Sequence, residues 1–171
     1  MQEKFPMSET PMTNLPRATT LADHAHTGDD HIALDYDARF VRRKRLVSAA
    51  GRAFLVDLPE TVSVGHGMAF VLDDGSRVEI RAAREPLMEI TGPALVRLAW
   101  HIGNRHTPCQ IEAQRLLIRR DLVLAGMLAG LGAQVREVEA PFTPEGGAYG
   151  LGRTLGHSHG PDDAGHDHSH G

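Results

Sequence analysis

The chain has 171 residues, enough for one compact domain or for two small ones sharing an interface. Its formal net charge of -4 argues against general nucleic-acid affinity, and no apolar run approaches the ~20 residues that span a bilayer. Only 5% of residues are aromatic, so a core must rest on Leu, Val, Ile and Ala; the single cysteine, Cys109, excludes an intramolecular disulfide and suits a reducing cytoplasm.

Residues 1–30 are rich in Pro, Thr and Asp and carry no sustained periodicity, so a disordered extension is expected there. Residues 1–16 also lack the apolar core of a signal peptide. Within this extension His24, His26 and His31 alternate with Asp23, Asp29 and Asp30. They read either as a solvated tail or as an auxiliary metal-attracting arm, with His24 and His26 as candidate ligands.

From Tyr36 the texture is that of strands. Phe40-Val41 and Leu46-Val47 flank the basic run Arg42-Arg43-Lys44-Arg45, and Ala53 to Val56 reads as a strand that ends at Pro59. Ala69 to Leu72, the turn Asp73-Asp74-Gly75-Ser76, and Arg77 to Arg81 form a hairpin pattern. Short strands without a long helix predict a small all-β domain over residues 31–84. The basic run lacks interleaved aromatic platforms, so a solvated or partner-facing strand fits it better than a nucleic-acid site.

Residues 85–149 carry a different order. Leu87 to Ile90 predicts a strand, and Thr91-Gly92-Pro93 opens a helix whose inward face is Leu95, Leu98, Ala99 and Ile102. Gly103-Asn104 stops this helix, and Pro108 forbids a quick restart. Cys109 to Glu112 and Leu116 to Arg119 are short strands that a tight connection makes antiparallel. Asp121 caps a second helix with Leu124, Met127, Leu128 and Leu131 inward, closed by Gly132. Gln134 to Glu139 alternates as a last strand. The order β-α-β-β-α-β is the split βαβ arrangement of ferredoxin-like domains, giving an α+β chain.

His106 sits just past the first helix. At about 100° per residue, His101 and His106 would point roughly 140° apart on an unbroken helix and cannot chelate one ion together. His106 therefore waits for ligands from elsewhere in the chain or from a second chain. Cys109 is a soft candidate ligand or a buried structural residue, and His101 reads as helix-face packing or a weaker candidate. His66, between two glycines, reads as a turn residue.

Histidine is unevenly spread: of eleven, five lie in the low-complexity tail of residues 150–171. His157, His159, His166, His168 and His170 alternate with Gly, Ser and Asp on an expectedly flexible backbone, a pattern that can converge on nickel, copper or zinc.

Gly103-Asn104-Arg105-His106, then Pro108 and Gln110-Ile111, Met127-Leu128, Gly130-Leu131-Gly132, the exit Pro141 to Tyr149 and the His-rich tail together resemble the UreE family, nickel metallochaperones among the urease accessory proteins. The likeness covers about residues 36–171. It implies a β-rich first domain, a ferredoxin-like metal-binding second domain, and a homodimer through the latter with His106 at the two-fold interface. An isologous interface would set two His106 imidazoles side by side, half a coordination shell that tail histidines or water complete. Neutral imidazole is the ligand form, so affinity should fall as pH drops through the histidine range near ~6.5. Where family members often carry histidine at the start of the second helix, this chain has Arg120-Asp121-Leu122, so a secondary site there is not expected.

The resemblance implies no enzymatic activity: Ni²⁺ is cargo, with Zn²⁺ or Cu²⁺ able to compete, delivered in the cytoplasm to urease apoprotein with its other accessory proteins, including the GTPase. The alternative is a general Ni/Zn/Cu buffer acting through the tail. A hydrolytic zinc enzyme would need three fixed ligands and a positioned acid/base, such as His-Glu-x-x-His, which the sequence lacks.

Overall fold

The computed structural model describes residues 15–27 and 29–146. It is mostly β with two short helices, in two sheets. The first sheet holds β1 (Arg17–Ala22), β2 (Asp30–Leu34), β3 (Phe40–Val47), β4 (Ala53–Ser63), β5 (Ala69–Leu72) and β6 (Arg77–Ala82). Their order is β2-β6-β5-β1-β4-β3, with β1–β4 and β2–β6 parallel and the other pairs antiparallel. Ala49, in the β3–β4 turn, donates its amide to His31 O at 2.7 Å, which folds that turn against the opposite edge strand. Phe54, Val56, Phe70, Val78 and Ile80 are enclosed in the resulting core. Each such side chain contributes about 1.5–3 kcal/mol by leaving water.

Two expectations need correction here. Residues 17–22 are not a disordered extension: β1 lies inside the sheet, bonded to β4 on one side and β5 on the other, with Ala18 fully buried. The strand beginning at Ala53 does not end at Pro59 but runs to Ser63. The ladder is irregular there, pairing Val41 with Val62 but Arg43 with Asp57, so Pro59 occupies a bulged stretch that asks no ladder hydrogen bond of it.

The β5–β6 hairpin turns where Asp73 to Ser76 predicted. Gly75 has φ +81°, and Asp74 accepts from the Ser76 amide at 2.9 Å and hydroxyl at 2.5 Å. Those two bonds, with the Arg52 guanidinium, hold the Asp74 carboxyl down to about 2, below its ordinary 3.8. A lowered carboxylate stabilises the fold fully above its unfolded value and loses that contribution as pH falls through the folded one. Asp74→Asn is accordingly expected to lower the unfolding midpoint at pH 7, and the gap from wild type should close as thermal scans approach pH 2.

The second sheet holds β7 (Arg84–Thr91), β8 (Cys109–Ile111), β9 (Leu116–Arg119) and β10 (Gln134–Pro141) in the order β10-β7-β9-β8, all antiparallel. Helix α1 (Leu95–Gly103) joins β7 to β8, and α2 (Leu122–Gly130) joins β9 to β10, so each crossover skips one strand. The element order is the one read from the sequence. Asp121 accepts from the Leu124 amide at 2.9 Å as the α2 N-cap. At the other end, Gly132 at φ +88° lets the Ala133 amide reach Leu128 O and its own amide reach Ala129 O, a Schellman closure.

The two helices cover one face of this sheet, packing Leu98, Ile102, Leu124 and Leu128 on Met88, Ile90, Leu116 and Ile118. On the other face Leu87 and Leu117 meet Tyr36 and Phe142. Beside them the buried Glu89 joins Arg136 at 2.6 Å and Arg115 at 2.7 Å, and these guanidinium groups hold its carboxyl below the usual range.

The sheets meet around Tyr36 and the exit segment. Phe142, fully buried, stands edge-on to Tyr36 at 5.3 Å, and the buried Arg39 donates to its carbonyl. The Tyr36 amide donates to Glu85 Oε2 at 2.7 Å. Arg119 forms a bidentate pair with Asp37 at 3.1 and 2.8 Å, a surface contact worth little by itself.

Candidate metal centre

Helix α1 has two apolar faces. Leu98 and Ile102 are buried in the core, yet Val96 and Trp100, four residues apart and so on one outward stripe, are 88% and 64% exposed. The Trp100 ring stands edge-on to the half-buried His101 ring at 5.0 Å. The stripe runs toward the C-terminal end of α1, where amides of Asn104, Arg105 and His106 bond back to Trp100, Ile102 and Gly103 carbonyls at 2.9, 3.1 and 2.9 Å.

His106 ends that turn in the left-handed region, φ +55°, the one such non-glycine among the described residues. An L-residue there costs about 1–2 kcal/mol relative to its right-handed form. Glycine would fill the same position without that cost, so the imidazole is held at the exposed end of α1 against a backbone penalty.

Cys109, next along, is 9% exposed in the α1–α2 core. Burial, with the Glu145 carboxylate adding to it, pushes its thiol up to about 11. Its packing among the α1–α2 core side chains suits a small apolar residue. His24 and His26 lie in the other half of the molecule, where Arg77 donates to His24 O at 3.2 Å and sits 3.1 Å from His26 Nε2. A guanidinium at that ring nitrogen opposes a second cation. His66 is in a turn, its Nδ1 accepting from the Ala82 amide at 3.2 Å. His157, His159, His166, His168 and His170 lie outside the described residues.

The exit segment returns to this end of the molecule. The Thr143 amide donates to Gln110 Oε1 at 2.7 Å and the Glu145 amide to Cys109 O at 2.8 Å. The chain preceding the tail thus runs alongside β8, three residues from His106. An open cleft of about 500 Å³ lies beside the same loop, lined by Thr107 and Pro108 and, across it, by Asp35, Asp37, Glu85 and Arg119. Among the described residues no group of three or more His, Cys, Asp or Glu side chains is arranged to hold a metal.

A family model of the N-terminal domain of UreE urease accessory proteins matches residues 12–83, and one of the C-terminal domain matches residues 85–170. The chain belongs to the UreE family. Urease accessory proteins UreE from Ruegeria pomeroyi, Rhodobacter capsulatus and Cereibacter sphaeroides are similar to it. The first is 62% identical over 136 residues, covering 80% of this chain and 91% of that protein. The second is 64% identical over 132 residues, 77% and 84% of the two chains, and the third 60% over 153 residues, 88% and 84%. The family is one of accessory chaperones, not enzymes. No helix among the described residues is long and apolar enough to cross a membrane.

Sequence reasoning placed His106 just past the end of α1, where the structure has it, but missed its surroundings. The outward Val96 and Trp100 were visible as apolar residues on the polar side of a nine-residue helix, a signal that the inward stripe overshadowed.

Proposed function

We propose that this UreE family member is a nickel metallochaperone that delivers Ni²⁺ for assembly of the urease active site, working in the cytoplasm with urease apoprotein and its other accessory proteins, including the GTPase. The observation that carries the reading is His106, held in a strained conformation at the exposed end of a helix whose outer face is apolar. A two-fold contact through Val96 and Trp100, on a ferredoxin-like second domain, would bury that face and bring two His106 side chains together. Two imidazoles leave coordination positions open. Tail histidines from His157 to His170 can fill them reversibly, which suits cargo that must leave. Zn²⁺ and Cu²⁺ compete at such a site, because imidazole affinity follows the general order of divalent metals.

A general metal buffer remains the second reading, favoured by the five tail histidines. Urease activation in cells lacking the chaperone separates the two. Removing residues 151–171 leaves partial nickel delivery if the chain is a chaperone with a site at His106, and abolishes metal handling if the tail is the whole device.

Trp100→Glu tests the dimer directly. It is expected to keep the far-ultraviolet spectrum while weakening self-association by at least ~30-fold, as loss of a central aromatic anchor of about 2 kcal/mol does. Molar mass by light scattering should then fall to that of one chain, and nickel affinity with it.

A further inference from the structure

The turn that carries His106 leaves helix α1 with a bonding problem at its C-terminal end, where the last carbonyls have no helical amide ahead of them. The Asn104 amide still continues the helix, donating to Trp100 O at 2.9 Å. The next two amides tighten to closer partners, Arg105 N on Ile102 O at 3.1 Å and His106 N on Gly103 O at 2.9 Å. His101 O is the carbonyl that the Arg105 amide would have reached in a continued helix. It accepts instead from the Arg105 guanidinium, Nη1 at 3.2 Å. A cation there also lies at the negative end of the helix dipole. Helix α1 has nine residues and its N-cap, Ala94, supplies no side-chain bond, so its ends depend on core packing and on this clamp.

We propose that Arg105 is a positioning residue for His106: its guanidinium, tied to His101 O, holds the last turn of α1 in the form that presents the imidazole at φ +55°. The inference rests on the reading of His106 as a nickel ligand. A left-handed residue is disfavoured on its own, so a turn released from its clamp drifts toward right-handed and frayed conformers that aim the ring elsewhere. Nickel affinity then falls by the fraction of time the ring is in place. In an isologous site both subunits must present it at once, so a loss of about threefold per subunit compounds to about tenfold per dimer. Arg105 is exposed and belongs to none of the apolar cores, so its removal should leave the fold standing.

The test uses the full-length chain with His157, His159, His166, His168 and His170 changed to alanine, so that tail imidazoles do not contribute. Arg105→Ala and Arg105→Lys are added to that background. The conformation at His106 is read in the nickel-free proteins from the strong intraresidue amide–Hα nuclear Overhauser effect that a positive φ produces, and nickel affinity is read by calorimetry. Arg105→Ala is expected to weaken the Overhauser signal and to lower affinity by about tenfold, at unchanged molar mass and far-ultraviolet spectrum. Arg105→Lys, which keeps a cationic donor, should recover most of both. An unchanged Overhauser signal in Arg105→Ala overturns the proposal, whatever happens to affinity. Tighter nickel binding overturns it in favour of a guanidinium that repels the cargo, and a fall in molar mass in favour of a dimer contact. His106→Ala on the same background keeps the two readings apart: unchanged nickel affinity there sinks the ligand reading, while the Overhauser comparison still decides whether Arg105 sets the turn.

Discussion

His106→Gly and His106→Ala are expected to lose nickel delivery alike while parting company in stability. The left-handed backbone at φ +55° costs an alanine about as much as it costs the histidine, whereas glycine escapes that cost. Against this, glycine loses about 0.5–1 kcal/mol more chain entropy on folding. The net expectation is that His106→Gly is as stable as wild type or slightly more so, and that His106→Ala lies below His106→Gly by about 0.5–1 kcal/mol. Thermal unfolding ranks the two proteins, and urease activation in cells measures delivery. If the imidazole is the functional group, both variants fall to the same residual activation, set by the tail. If His106 served only to terminate α1, the glycine variant would retain activity.

Phe142→Ala is expected to be the most damaging single change outside the two main cores. The ring is fully buried between Tyr36, Leu87 and Leu117, and removing such a side chain costs about 3–5 kcal/mol. Its loss also loosens the segment that follows. The Glu145 amide, bonded to Cys109 O at 2.8 Å, should exchange with solvent much faster in the variant. Hydrogen exchange at that amide distinguishes a released exit segment from general destabilisation, which would speed exchange in α2 equally.

Most of the second domain was legible because its punctuation is local. Asp121 caps and Gly132 closes through bonds to residues within a few positions, and Pro108 separates because it has no amide hydrogen to donate, so the signals survive without tertiary context. β1 was not legible for the opposite reason. Arg17 to Ala22 buries Ala18 alone fully, and what makes the segment a strand is its insertion between β4 and β5, more than 30 residues away in sequence. Phe142 was hidden in the same way, since a Pro/Gly-rich exit rightly predicts irregular backbone but not which side chain a neighbouring domain will enclose. Pro59 misled because proline forbids a regular ladder but fits a bulge. At the site, the glycine-asparagine stop located His106, while its positive φ depends on how α1 unwinds over three residues.

Calorimetric nickel titration, with molar mass followed in parallel, asks whether one histidine of each subunit builds an interfacial nickel site. The proteins are residues 1–150, which retain the anchored exit segment, and the same chain with His106→Ala. One tight Ni²⁺ per dimer is expected in the first and none in the second, both remaining dimeric. Equal tight binding by the two proteins would contradict it, and absence of binding by both would leave the tail as the metal-holding element and the chain as a buffer.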